Sequence, residues 1–317
     1  MTSQAIIFSG RGSQYLAEKI ARKFGETLGK VKTQVFSDGE IGVEFEESIR
    51  GRSVFLVQST FSPTDNLMEL LLMIDAAKRA SAYKVIAVIP YYGYARQDRK
   101  DKPRVAIGSK LVANMLTAAG ADRIVTMDLH APQIQGYFDI PVDHLESSAI
   151  FIPYIENLNL QNLTFAAPDV GSANRIREIA SYFEVDMVIC DKHRKRANEI
   201  ASMVVIGDVT DRDIVLIDDI CDTGGTLAKS AALMIQKGAR SVRAFCTHPV
   251  LSGKAYENIE NSVLEELVVC DTIPLKQTSS KIKVLSTDEL FAVALRNAYE
   301  NRSINTLFIK SRIKSVN

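Results

Sequence analysis

The chain has 317 residues, 46% of them hydrophobic and 24% charged, with no tryptophan and a formal net charge of +0. That length suggests two domains of ordinary size, each able to bury a core. The charge balance excludes a global field for nucleic acid or an anionic membrane, and no apolar run approaches the roughly eighteen residues of a membrane span.

Short β-branched runs alternate with helical patterns almost throughout. The first, AIIF (5–8), is too short for a secretory signal. Strands are predicted next at SVFLVQS (53–59), KVIAVIP (84–90) and RIVTMDL (123–129), with helices over 65–80 and 107–119. NLTFAAP (162–168), VDMVIC (185–190), DIVLIDD (213–219), SVRAFC (241–246) and ELVVCDT (266–272) follow, with helices over 173–183, 226–237 and 288–300. Gly120 and Gly238 stand where C-terminal caps belong. Continuous apolar strands separated by helices predict an α/β fold of mainly parallel sheets flanked by helices.

The two halves look alike. KVIAVIP followed by YYGYARQDRK has the same strand-then-polar-loop form as DIVLIDD followed by ICDTGGT. Two related domains, 1–145 and 146–317, are expected to meet after the Pro141–Asp143 turn and to pack closely, with the last helix a candidate to pack back on the first. Cys190, Cys221, Cys246 and Cys270 lie far apart without metal-ligand spacing, and three of them close apolar runs. A reduced, cytoplasmic setting is expected.

The densest chemistry lies in VLIDDICDTGGTL (215–227). Ligands of an open parallel sheet sit beyond the carboxyl ends of its strands, and Asp218 and Asp219 occupy that end. Gly224 and Gly225 permit a tight turn whose N–H groups converge on an anion, flanked by Thr223 and by Thr226, where a helix begins. Asp218, Asp219 and Asp222 can accept hydrogen bonds from hydroxyls or hold a hydrated cation. A sugar phosphate satisfies both demands.

This stretch resembles the ribose-5-phosphate signature of the type I phosphoribosyltransferase fold. With it, FSDGE (36–40), VIPYYGYARQDRK, VTMDLHAPQIQGYFDIPVDHL, APDVGSANRIREIA (167–180) and DKHRKRANEI (191–200) closely resemble the ribose-phosphate diphosphokinase (PRPP synthetase) family, in order and spacing, from the first strand to about residue 310. The resemblance implies two phosphoribosyltransferase-like domains and transfer of the β,γ-diphosphoryl group of ATP to the C1 hydroxyl of ribose 5-phosphate. Mg²⁺ would be the cofactor.

The resemblance also distributes roles. Phe36, Asp38, Gly39 and Glu40 would complete an ATP site in a neighbouring subunit, an aromatic face and two acceptors being suited to adenine. Arg96 and Gln97 would contact the nucleotide. His130 and Asp169 are assigned to the magnesium, although imidazole is an unusual ligand for so hard a cation. Lys192 and Arg194, within five consecutive residues that are basic or histidine, would neutralise charge on the transferring group, with Arg194 also near the sugar phosphate. This basic run reads as a loop, mobile until ligand binds.

Ser48, Arg50, Ser81 and Ser303 match positions of an anion site at which inorganic phosphate activates and ADP inhibits a homo-oligomer, dimers assembling to a hexamer. Three positions depart from the family pattern: Ser172 follows Gly171 where a second glycine is frequent, His193 replaces a frequent arginine, and Asn305 replaces a serine. Two other readings stand beside the enzyme: a transferase that consumes phosphoribosyl diphosphate, and a non-catalytic regulatory subunit associated with the synthetase. The first would not need FSDGE, ARQD and DKHRKR together, and the second should have lost Lys192, Arg194, His130 or Asp169.

Overall fold

A computed structural model describes residues 4–196 and 199–307, with only the backbone path between 192 and 202. The chain divides into two compact units, one running to Glu146 and including Thr287–Leu307, the other Ser147–Ser286.

The first unit begins with β1 (Ala5–Ser9), α1 (Gln14–Phe24) and an antiparallel hairpin of β2 (Val31–Val35) and β3 (Ile41–Phe45). Then come β4 (Ser53–Val57), α2 (Asp65–Arg79), β5 (Lys84–Ile89), α3 (Gly108–Ala119), β6 (Arg123–Met127) and β7 (Val142–Leu145). Five parallel strands lie in the order β1-β4-β5-β6-β7. Because side chains alternate across a strand, one face of this sheet presents Phe8, Leu56, Ala87 and Ile124 to α2, α3 and the hairpin. The opposite face includes Phe55, which meets Phe24 at the end of α1.

The second unit starts with α4 (Ser148–Asn157), β8 (Leu163–Ala167), α5 (Ala173–Tyr182), β9 (Met187–Arg196) and β10 (Glu199–Ile206). It continues through β11 (Asp213–Cys221), α6 (Gly225–Gln236), β12 (Ser241–Pro249), α7 (Ala255–Glu260), β13 (Leu267–Cys270) and β14 (Ile282–Leu285). Its seven strands run β10-β9-β8-β11-β12-β13-β14, parallel except for the β9–β10 pair. Along β11 the alternation is clean: Ile214 and Leu216 pack with α6 and α7, while Val215 and Ile217 pack with α4 and α5. Each such side chain contributes about 1.5–3 kcal/mol when fully buried. The last helix, α8 (Asp288–Tyr299), belongs to the first unit, where Arg296 donates to the carbonyls of Lys23 and Phe24 at 3.2 and 2.8 Å.

Glycines stop the helices as their conformational freedom allows. Gly120 caps α3 with φ +109, and Gly238, one residue past the cap of α6, has φ +95. Two stretches differ from the sequence reading. The basic run is strand backbone rather than loop, because β9 continues past β8 and pairs with β10 as far as Arg196. The hairpin strands VKTQV and IGVEF, being half-exposed, carry no apolar run that would mark them as core.

The amino end of β11 is fastened by charge. Asp213 accepts from Arg240 Nε and Nη2 at 3.0 and 2.6 Å, from Ser241 Oγ at 2.6 Å and from the Gln161 amide at 3.0 Å. The Arg240 bond, helped by Ser241 and Gln161 and opposed by burial, holds this carboxyl below the usual carboxylate range. Asp213→Ala is therefore expected to cost about 2 kcal/mol, a figure lowered for the partial exposure of Arg240. A depressed folded-state pKa stabilises fully above the ordinary value near 4 and is lost as pH falls through the folded value. Urea midpoints should accordingly fall below about pH 4 in the wild type, and Asp213→Asn should blunt that fall.

Candidate active site

In the second unit, the connection from β8 leads to β9 on one side of the sheet, and that from β11 leads to β12 on the other. The two adjacent strands β8 and β11 thus flank a topological switch point, where helices leave on opposite faces and a crevice opens beyond the carboxyl ends. Asp169 stands just past β8, and Asp218 and Asp219 lie near the end of β11. In the first unit the strand order follows the chain, so its sheet has no such reversal.

The carboxylates interact. Burial, then the charge of Asp219 and that of Asp169, pushes the Asp218 carboxyl well above the usual carboxylate range. Asp218 Oδ1 accepts the Asp219 amide at 2.9 Å, and Asp219 is 8% exposed. Negative groups crowded into a crevice favour a cation or hydroxyl donors among them. The neighbouring Cys221 is no nucleophile: burial and the charges of Asp218 and Asp222 push its thiol up to about 12.

Asp169 also caps the short turn after β8, accepting from the Ser172 amide at 3.0 Å. The Ser172 hydroxyl donates back to the Asp169 carbonyl at 3.0 Å, so Ser172 braces Asp169 rather than capping α5 through its side chain.

The cradle follows at once. Gly224 has φ +70 and starts α6 with no side-chain cap, so the first-turn amides of Gly225, Thr226 and Leu227 face outward from the helix end. The loop is held from the segment after β12. Leu251 and Ser252 amides donate to the carbonyls of Cys221 and Asp222 at 3.0 and 2.9 Å, and Asn258 Nδ2 donates to the Thr223 carbonyl at 2.8 Å. The Asp222 carboxylate accepts from the Ser252 hydroxyl, so its first partner is protein. Ser252 and Asn258 escaped the sequence reading because LSGKAYEN carries no chemical signature, only a turn.

In the first unit, Phe36, Asp38, Gly39 and Glu40 form the exposed tip of the β2–β3 hairpin. Gly39 has φ +94, and the Phe36 amide donates to the Glu40 carbonyl at 2.8 Å. Arg96 and Gln97 are exposed after β5, the Gln97 amide bonding the Tyr94 carbonyl at 2.9 Å. His130 is exposed two residues past Asp128, a buried aspartate with φ +38. His130 belongs to the first unit and Asp169 to the second. Among the described residues, no group of three or more His, Cys, Asp or Glu is placed to hold a metal ion.

The exposed Ser48 and Arg50 lie in a turn tied to Ser81, whose carbonyl accepts from the Gly51 amide at 2.9 Å. Ser303 is exposed, and its hydroxyl accepts from the Asn305 amide at 3.2 Å. The side chains of Lys192, His193 and Arg194 lie outside the described residues, although their backbone runs in β9. A cleft of about 600 Å³ in the first unit, lined by Arg11, Glu18, Arg22 and Lys30 among others, contains none of these candidates.

Comparison with known proteins places this geometry. The family model described as the N-terminal domain of ribose phosphate pyrophosphokinase matches residues 5–120, and the phosphoribosyl synthetase-associated domain matches residues 173–309. A ribose-phosphate pyrophosphokinase of Porphyromonas gingivalis is 55% identical over 303 residues, covering 95% of this chain and 97% of its own length. One from Campylobacter jejuni is 52% identical, covering 96% and 98%. The crystal structure of phosphoribosylpyrophosphate synthetase from Mycobacterium smegmatis superposes with a TM-score of 0.89 at 37% identity, covering 94% of this chain and all of that one. With the switch-point carboxylates and the glycine cradle that follows β11 in place, these matches establish that the chain belongs to the ribose-phosphate pyrophosphokinase family.

Proposed function

We propose that the chain transfers the β,γ-diphosphoryl group of ATP to ribose 5-phosphate, yielding phosphoribosyl diphosphate and AMP for nucleotide, histidine and tryptophan biosynthesis. The C1 oxygen of the sugar forms a bond to the β-phosphorus as the bond to the α,β-bridging oxygen breaks. AMP leaves with that oxygen, and the proton of the C1 hydroxyl passes to solvent. The observation that carries the reading is the pairing of a glycine cradle with carboxylates at one switch point. The cradle suits the 5-phosphate and the acids suit the ring hydroxyls, fixing which end of the sugar faces the donor.

On this reading Gly224, Gly225, Thr223 and Thr226 take the 5-phosphate, and Asp218, Asp219 and Asp222 line the sugar. Phe36, Asp38, Gly39 and Glu40 of one subunit, with Arg96 and Gln97 of another, hold ATP. Lys192 and Arg194 neutralise the transferring group. Catalysis is then mostly positioning and charge neutralisation, with no covalent intermediate. Magnesium would offset the charge of the ATP phosphates. Asp169 is the fitting protein oxygen, with His130 on the nucleotide side, and few protein ligands are needed because Mg²⁺ retains water and phosphate ligands. Ser48, Arg50, Ser81 and Ser303 would form the site where phosphate activates and ADP inhibits a cytoplasmic homohexamer assembled from dimers.

The relatives' names favour this over the regulatory-subunit and base-transferring readings. Incubating the chain with ATP, ribose 5-phosphate and Mg²⁺ should release AMP in step with phosphoribosyl diphosphate. Release of ADP would mean a different phosphoryl transfer, and an absence of turnover would favour the regulatory subunit.

A further inference from the structure

The segment Tyr91–Gly93, which follows β5 and leads into Arg96 and Gln97, is gripped by two consecutive residues that none of the motifs includes. Ser59 and Thr60 follow β4, the strand beside β5, and both are buried. The Ser59 hydroxyl accepts the Tyr91 amide at 3.0 Å. The Thr60 amide donates to the Tyr91 carbonyl at 2.9 Å, and the Thr60 hydroxyl donates to the same carbonyl at 3.3 Å. That hydroxyl also accepts the Gly93 amide at 2.7 Å.

The fit at Gly93 is independent of these bonds and points the same way. A Cβ there would lie 2.2 Å from the Thr60 carbonyl oxygen, a backbone atom that cannot turn aside. The chain then enters Tyr94 at φ +63, and Arg96 and Gln97 emerge into solvent two and three residues later. Arg96 and Gln97 thus follow closely on the peptide that Thr60 holds.

We propose that Thr60 is a positioning residue for the ATP-side loop: its hydroxyl holds the Gly93 peptide and so aims Arg96 and Gln97 at the nucleotide. This rests on the reading of Arg96 and Gln97 as ATP contacts. Thr60→Val keeps the shape and removes the acceptor, leaving a buried N–H without its bond. In the full chain with saturating ribose 5-phosphate, Thr60→Val is expected to raise KM for ATP about tenfold, while KM for ribose 5-phosphate stays within about twofold. Amide exchange at Gly93 should accelerate, and Thr60→Ser should restore both properties.

A purely structural role would move both KM values together, or lower the melting temperature with neither KM altered, and either result overturns the proposal. So does a Thr60→Ser variant as impaired as Thr60→Val. If the wild type makes AMP and Thr60→Val keeps its KM for ATP, the proposal alone fails. If the wild type makes no AMP, the reading beneath it fails as well.

Discussion

Lys192→Ala is expected to lower kcat about a thousandfold, the scale seen when a cation that stabilises a transferring phosphoryl group is removed. The register of the second unit supports a position close to the chemistry. Ala167, the last residue of β8, pairs with Ile189 of β9, so two residues farther on stand Asp169, just past β8, and Asp191 of β9, with Lys192 next. The backbone at Lys192 is opposite Met203 of β10, which carries the basic run beyond the end of β8. A charge needed mainly in the transition state should affect kcat and leave KM for ribose 5-phosphate nearly unchanged. Steady-state rates of AMP release in Lys192→Ala, Lys192→Arg and Arg194→Ala measure this. A Lys192→Ala variant within tenfold of wild type would remove Lys192 from the mechanism.

Gly224→Val is the complementary test at the acceptor end. Gly224 sits at φ +70, where a β-branched residue is strained by about 1–2 kcal/mol. Its Cβ would meet Ile259 Cδ1 and Cγ1 at 3.1 and 3.2 Å and the Ala255 carbonyl oxygen at 3.4 Å, all in the segment that fastens the loop. The turn must shift, and a displacement of about 1 Å at a positioning element costs roughly a hundredfold. The loss should appear in kcat/KM for ribose 5-phosphate, with KM for ATP little altered because the proposed nucleotide contacts belong to other segments. Titration with ribose 5-phosphate decides it. An unchanged KM for the sugar would mean that the 5-phosphate binds elsewhere.

Much of this was legible in the chain itself. DIVLIDD read as a strand of a parallel sheet covered by helices because its apolar run is continuous, and the structure buries Ile214–Ile217 on both faces. The glycine turn was legible because φ +70 at Gly224 is a local property that the residue type announces. The strands of the hairpin carrying FSDGE left no signal in the sequence, since VKTQV and IGVEF bury little. Continuation of β9 through five basic or histidine residues was hidden, because like charges in a row read as loop until a partner strand satisfies the backbone.

Residue types and their spacing fixed which groups can bind phosphate, accept from hydroxyls or carry positive charge, for those are properties of side chains and nearest neighbours. Strand order is a long-range property, and it alone set Asp169 beside Asp218 and Asp219 at the reversal between β8 and β11. The same holds for supports distant in sequence: Ser252 and Asn258 for the cradle, and Thr60 for the peptide at Gly93. A threonine after an apolar run has no chemistry of its own to announce. Its role comes from the adjacent strand, whose register brings a glycine amide to 2.7 Å from its hydroxyl.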